Sequence, residues 1–107
     1  MNDEEQGLRL TLYVAGQNPR AERAITKLRH SLGQRLGLQA QVTTIDVLDR
    51  PDLAEEALIL ATPTLIKESP APVRRMMGDL SDTDRVIEGL RLDLTDTSTP
   101  RVSVADD

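Results

Sequence analysis

Between Leu8 and Val14, Leu8, Leu10, Leu12 and Val14 fall on one side of an extended chain, with Arg9, Thr11 and Tyr13 on the other. A period of two is that of a strand with one apolar face. Gly16-Gln17-Asn18-Pro19 breaks the pattern, with Asn18 placed to cap a helix and Pro19 suited to its first position. The period then lengthens. Ala21, Ala24, Ile25, Leu28, Leu32 and Leu36 recur at spacings of three and four, which predicts a helix with one apolar stripe. Gly33 weakens its last turn and Gly37 suits its end. Ala40 to Val47 is rich in β-branched residues and predicts a second strand. Strand, helix and strand joined by a long crossover imply a parallel pair.

Asp49-Arg50-Pro51-Asp52 restarts the chain. Pro51 to about Leu60 is predicted as a short helix with Leu53, Ala54, Ala57 and Leu58 inward. A strand holding Leu65 and Ile66 follows, then a turn at Ser69-Pro70-Ala71-Pro72 and a strand from Val73 to Met77, ended by Gly78-Asp79. Ser81-Asp82-Thr83-Asp84 has the form of a capping box with Asp as the acid, opening a helix striped by Val86, Ile87, Leu90 and Leu94. The order is β-α-β-α-β-β-α, an α/β layer fold. Residues 1–7 are expected to be a flexible N-terminus, 8–94 a single domain and 95–107 a disordered acidic tail.

Composition narrows the chemistry. The 107 residues contain no cysteine and one histidine, and carry a formal charge of −5. Disulfides, thiolate nucleophiles and thiolate zinc sites are excluded. His30, alone on a polar helix face, supports neither a metal cluster nor a catalytic triad. The acidic balance argues against broad nucleic-acid or membrane affinity. No apolar run is long enough to span a bilayer, and the acidic N-terminus lacks a signal-peptide pattern. The expectation is a cytoplasmic protein without cofactor, metal or enzymatic activity. Tyr13 is the only aromatic residue, so the core must be aliphatic.

Thr62-Pro63-Thr64, before an apolar strand, resembles the cis-proline turn of thioredoxin-like domains. In redox members that turn faces a Cys-x-x-Cys pair, and here Gly16-Gln17-Asn18-Pro19-Arg20 occupies the slot. Several colinear segments resemble the KaiB family: Leu12-Tyr13-Val14-Ala15-Gly16, Ile45-Asp46-Val47-Leu48, Leu53-Ala54-Glu55-Glu56, Ile59 to Leu65, Pro72-Val73-Arg74-Arg75 and Gly78-Asp79-Leu80-Ser81. The resemblance spans roughly residues 8 to 92. It implies a thioredoxin-like fold and a non-catalytic adaptor that binds a KaiC-type ring ATPase and modulates its phosphorylation cycle. It also implies competition with a SasA-like kinase, possible capture of KaiA, and self-association to a dimer or tetramer. The family is known for fold switching, so β-α-β-β-α-α-β is an alternative order. A free-standing SasA-type sensor domain, docking on the same ATPase, is the competing reading.

Candidate residues follow. The resemblance singles out Arg23, Lys67, Arg74 and Arg75 as functional cations. With Arg20 and Lys27 they are expected to form a basic area, since arginine is enriched at interfaces. Glu56 and Ile59, on the second helix, are further expected contacts. Pro63 is expected to follow a cis peptide bond. Gly89 and Arg91 bear on the fold switch, because Gly89 disfavours helix and a cation such as Arg91 in a last turn favours it. Met76 and Met77 are expected to fill core gaps.

Overall fold

A computed structural model describes residues 7–92. The expected features of the acidic tail, together with Leu94, lie outside the described residues. The order is β1 (Leu8–Val14), α1 (Pro19–Ser31), a π-helical turn (Leu32–Leu36), β2 (Ala40–Asp46), α2 (Pro51–Glu56), β3 (Thr64–Ser69), β4 (Arg74–Met77) and α3 (Thr83–Gly89). The four strands form one sheet in the order β2-β1-β3-β4. β1 and β2 are parallel, and the other two pairings are antiparallel. This is the thioredoxin-like arrangement expected.

Register decides which residues meet. Leu12 lies opposite Leu65, and Leu65 opposite Met76, all on the face where the core forms. Leu8, Leu10, Leu12 and Val14 join Ala21, Ala24, Ile25 and Leu28 of α1, Val86 and Ile87 of α3, and Leu90 at its C-cap in that core. Burying each large aliphatic side chain contributes roughly 1.5–3 kcal/mol. Met76 is half-buried against the cluster, as expected for gap filling, whereas Met77 is exposed. The opposite face holds Tyr13, Thr64 and Ile66, also buried.

Helix ends follow local chemistry. The Asn18 side chain accepts the Ala21 N–H at 3.0 Å, with Pro19 in the first turn. The widened turn at Leu32–Leu36 ends at Gly37, whose φ of 65° suits glycine. That turn breaks the 3.6-residue period, so Leu36 is exposed rather than part of the expected stripe. α3 is capped one residue later than the capping-box expectation: Asp82, not Ser81, accepts from the Arg85 N–H at 3.2 Å. β4 begins at Arg74 rather than Val73, which is 64% exposed.

α2 stops at Glu56, four residues short of the expected Leu60. Leu58 is therefore not inward but 70% exposed. Arg91 likewise lies beyond the last turn of α3 rather than within it, with φ 58°. Gly89 closes α3 against β4: a Cβ there would stand 3.0 Å from Met76 Cε and 3.2 Å from its Sδ. Alanine gains up to about 1 kcal/mol in helix propensity, and the methionine end is flexible enough to yield. Gly89→Ala is expected to raise the urea midpoint modestly. A fall in midpoint would show that Met76 cannot move.

Candidate functional site

The Thr62–Pro63 peptide bond is cis, as expected, and so are Ser69–Pro70 and Ala71–Pro72. Pro63 lies beneath a cavity of about 390 Å³ between the start of α1 and the loop after β4. Its floor is Ala21, Ala24, Pro63 and Leu80; its rim is Asn18, Arg20, Asp79 and Ser81. The Asp79 carboxyl is held below the usual carboxylate range by its hydrogen bonds from Ser81. In the slot that the thioredoxin-like resemblance gives to a cysteine pair, Asn18 caps a helix instead.

A second surface lies at the same end of the sheet. Val47, Pro51, Ala54, Ile59, Leu60 and Thr62 line a shallow groove of about 360 Å³. Leu48, Leu58 and Leu60 stand on the segments that bound it, exposed by 72%, 70% and 85%. None of the six residues of α2 is buried. A short helix with so little of itself in the core depends on specific contacts to stay placed. One comes from β4, where the Arg75 guanidinium donates to the carbonyls of Ala57 at 2.8 Å and Leu58 at 3.1 Å.

The two surfaces share a support. Asp46, the last residue of β2, accepts from the Gly16 N–H at 2.8 Å and the Leu48 N–H at 2.9 Å through one oxygen. Gly16, with φ 72°, begins the loop leading to the cavity, and Leu48 begins the turn leading to α2. Asp46 was not singled out from the sequence. An Asp ending a strand before a turn is the available signal, since such side chains often accept from N–H groups two residues on.

The candidate residues converge only in part: the Arg75 bonds to the Ala57 and Leu58 carbonyls bring it to the chain between Glu56 and Ile59. Arg23 is exposed on α1, Arg74 and Arg75 are exposed on β4, and Glu56 is exposed at the end of α2 beside half-buried Ile59. Lys67 departs from the expected exposed basic area: it is 1% exposed. It lies opposite Leu10 and shares the core face of the sheet. Its ammonium donates to the Arg91 carbonyl at 3.3 Å. A buried charge requires such acceptors, and the turn after α3 provides one. Lys67 thus ties β3 to the end of α3. Tyr13 lies on the other face, where burial above all, then Glu68, pushes its phenol upward while Arg75 opposes the shift.

The described residues include no helix long and apolar enough to cross a membrane and no group of three or more His, Asp or Glu placed to hold a metal. Residues 11–92 match the KaiB domain family model. The circadian clock oscillator protein KaiB of a Synechococcus strain is 53% identical over 97 residues, covering 87% of each chain. Its counterpart from a Nostoc strain is 49% identical over 92 residues, covering 86% of this chain and 85% of the relative. Among solved structures, the N-terminal domain of Synechococcus elongatus SasA superposes with a TM-score of 0.67 at 22% identity, covering 90% of both chains. Mitochondrial thioredoxin 3 of Saccharomyces cerevisiae gives 0.61 at 18% identity, covering 84% and 83%. At such identities the two structures speak for the fold alone.

Proposed function

The chain belongs to the KaiB family, and from that premise we propose that it is a clock-type regulator, a non-catalytic cytoplasmic adaptor that docks on a KaiC-type ring ATPase and modulates its cycle. The observation that carries this reading is the apolar surface around α2 on a thioredoxin-like frame that has no cysteine. Thiol–disulfide exchange requires a thiolate, so the frame is left with recognition. Exposed leucines beside a groove favour a protein partner, since apolar residues presented together mark interaction sites. Arg23, Arg74, Glu56 and Ile59 are the proposed contacts, with Arg75 beside them. Lys67, Pro63, Gly89 and Arg91 belong to the frame. KaiA or a SasA-like kinase would compete for this chain or its partner. The alternative is a free-standing SasA-type sensor domain; SasA shares the fold, and the family match and an identity near half with KaiB proteins favour the adaptor.

The test is a pull-down with the KaiC-type ATPase of the same organism, with and without ATP. Co-elution that depends on nucleotide is expected, and no association in either condition would refute the reading.

The thioredoxin-like form is proposed to be the populated one in solution. The Lys67 bond to the Arg91 carbonyl and the close fit of Gly89 on Met76 both belong to this arrangement. A monomer on size exclusion, with helical chemical shifts over 83–89, is the expected result. A tight tetramer with a strand over 86–92 would contradict it.

A further inference from the structure

We propose that Arg75 is a positioning residue that acts on the partner through the turn ending α2, not by touching the partner itself; this rests on the docking role inferred above. The turn has the hydrogen bonding of a Schellman motif. Leu58 donates its N–H to the Glu55 carbonyl at 3.1 Å, and Ile59 donates to the Ala54 carbonyl at 2.9 Å. The motif places its central residue in the left-handed region, where glycine is favoured. Here that residue is Leu58, at φ 55°. A leucine held there costs free energy, and its 70% exposure returns little of that through burial.

Something else must hold the turn. One fork, the Arg75 guanidinium, donates to the carbonyls of Ala57 and Leu58 at 2.8 and 3.1 Å. A planar guanidinium can take two neighbouring acceptors at once, which a lysine ammonium does less well. Arg75 lies opposite Ile66 in the antiparallel ladder with β3, so its stem starts from the rigid sheet. The arginine whose charge most invites a direct-contact reading is thus committed to the protein's own backbone. What it sets is the orientation of Leu58 and Leu60, the exposed apolar side chains of the same turn.

Two readouts test this. The first needs no partner: amide exchange of the Leu58 and Ile59 N–H groups by NMR in the full chain. Arg75→Ala is expected to speed both about tenfold, consistent with loss of charge-assisted hydrogen bonding. Arg75→Lys is expected to fall between, and Leu58→Gly in the Arg75→Ala background to slow exchange again by removing the left-handed penalty. Unchanged exchange in Arg75→Ala overturns the proposal. The second readout is a double-mutant cycle on capture of the KaiC-type ATPase. Arg75→Ala is expected to weaken capture about tenfold with Leu58 present and no more than about twofold in the Leu58→Gly background. Equal losses in both backgrounds mean that Arg75 meets the partner directly, and overturn the proposal. If the wild-type chain captures no such ATPase, the docking role falls, while the exchange measurement alone still decides whether Arg75 holds the turn.

Discussion

Leu65→Ala is expected to lower stability by about 3 kcal/mol, the largest effect of any single substitution considered. Leu65 is wholly buried. It sits in a central strand, opposite Leu12 on one side and Met76 on the other. Truncation removes three carbon atoms from a site bounded by sheet and helices, where collapse is limited. Buried leucine-to-alanine changes cost 2–5 kcal/mol as the cavity term adds to the transfer term. A domain of this size has only about 5–15 kcal/mol in total, so the loss takes a large share of it. A fall in melting temperature of roughly 12–24 °C is expected. A fall of less than 5 °C would mean that neighbouring side chains refill the space, with Met76 the side chain best able to do so.

The second large effect is expected at Asp46. Asp46→Ala removes the acceptor of two backbone N–H groups, Gly16 and Leu48. Each bond is worth roughly 1 kcal/mol net, so the expected cost is about 2 kcal/mol in urea unfolding. Asp46→Asn keeps an oxygen in the same place and is expected to recover more than half of that. The effect is expected on both segments at once, because this carboxylate joins the loop into α1 to the turn into α2. Amide exchange in both segments should rise together in Asp46→Ala and stay near wild type in Asp46→Asn. Equal losses for the two variants would point to the negative charge, rather than acceptor geometry, as what matters.

The first strand and the first helix are legible because each turns an apolar face toward the core. Leu8, Leu10, Leu12 and Val14 need only alternate, and Ala21 to Leu32 need only recur at helical spacing, for burial to do the rest. Leu36 falls outside the stripe because five residues of π-helix shift the period, and periodicity alone carries no sign of that. Leu58 leaves the helix for a related reason. A helix ending in a left-handed residue is normally announced by glycine or asparagine, and a leucine there conceals the stop. The Thr62–Pro63 cis bond was legible only through resemblance to thioredoxin-like domains.

The cations were hardest to place. Lysine is rarely buried, so composition favoured a surface position for Lys67. What overrides that rule is a backbone carbonyl brought from Arg91, 24 residues further along the chain. Arg75 is the converse case, correctly exposed but engaged with two carbonyls that no spacing rule connects to it. Side chains that bond to distant backbone are set by topology, and a one-dimensional pattern does not encode them.

The single phenol gives the molecule one built-in optical label. Tyr13 is the only tyrosine, and the chain has no tryptophan or phenylalanine, so near-ultraviolet absorbance, circular dichroism and intrinsic fluorescence all come from one position, in the first strand, where Arg75 and Glu56 act on its hydroxyl. With no tryptophan to mask it, its emission should report on the neighbourhood of α2 before any dye is attached. Because burial holds the hydroxyl protonated above its ordinary range, a phenolate band that grows in at lower pH in a variant would reveal water reaching that strand.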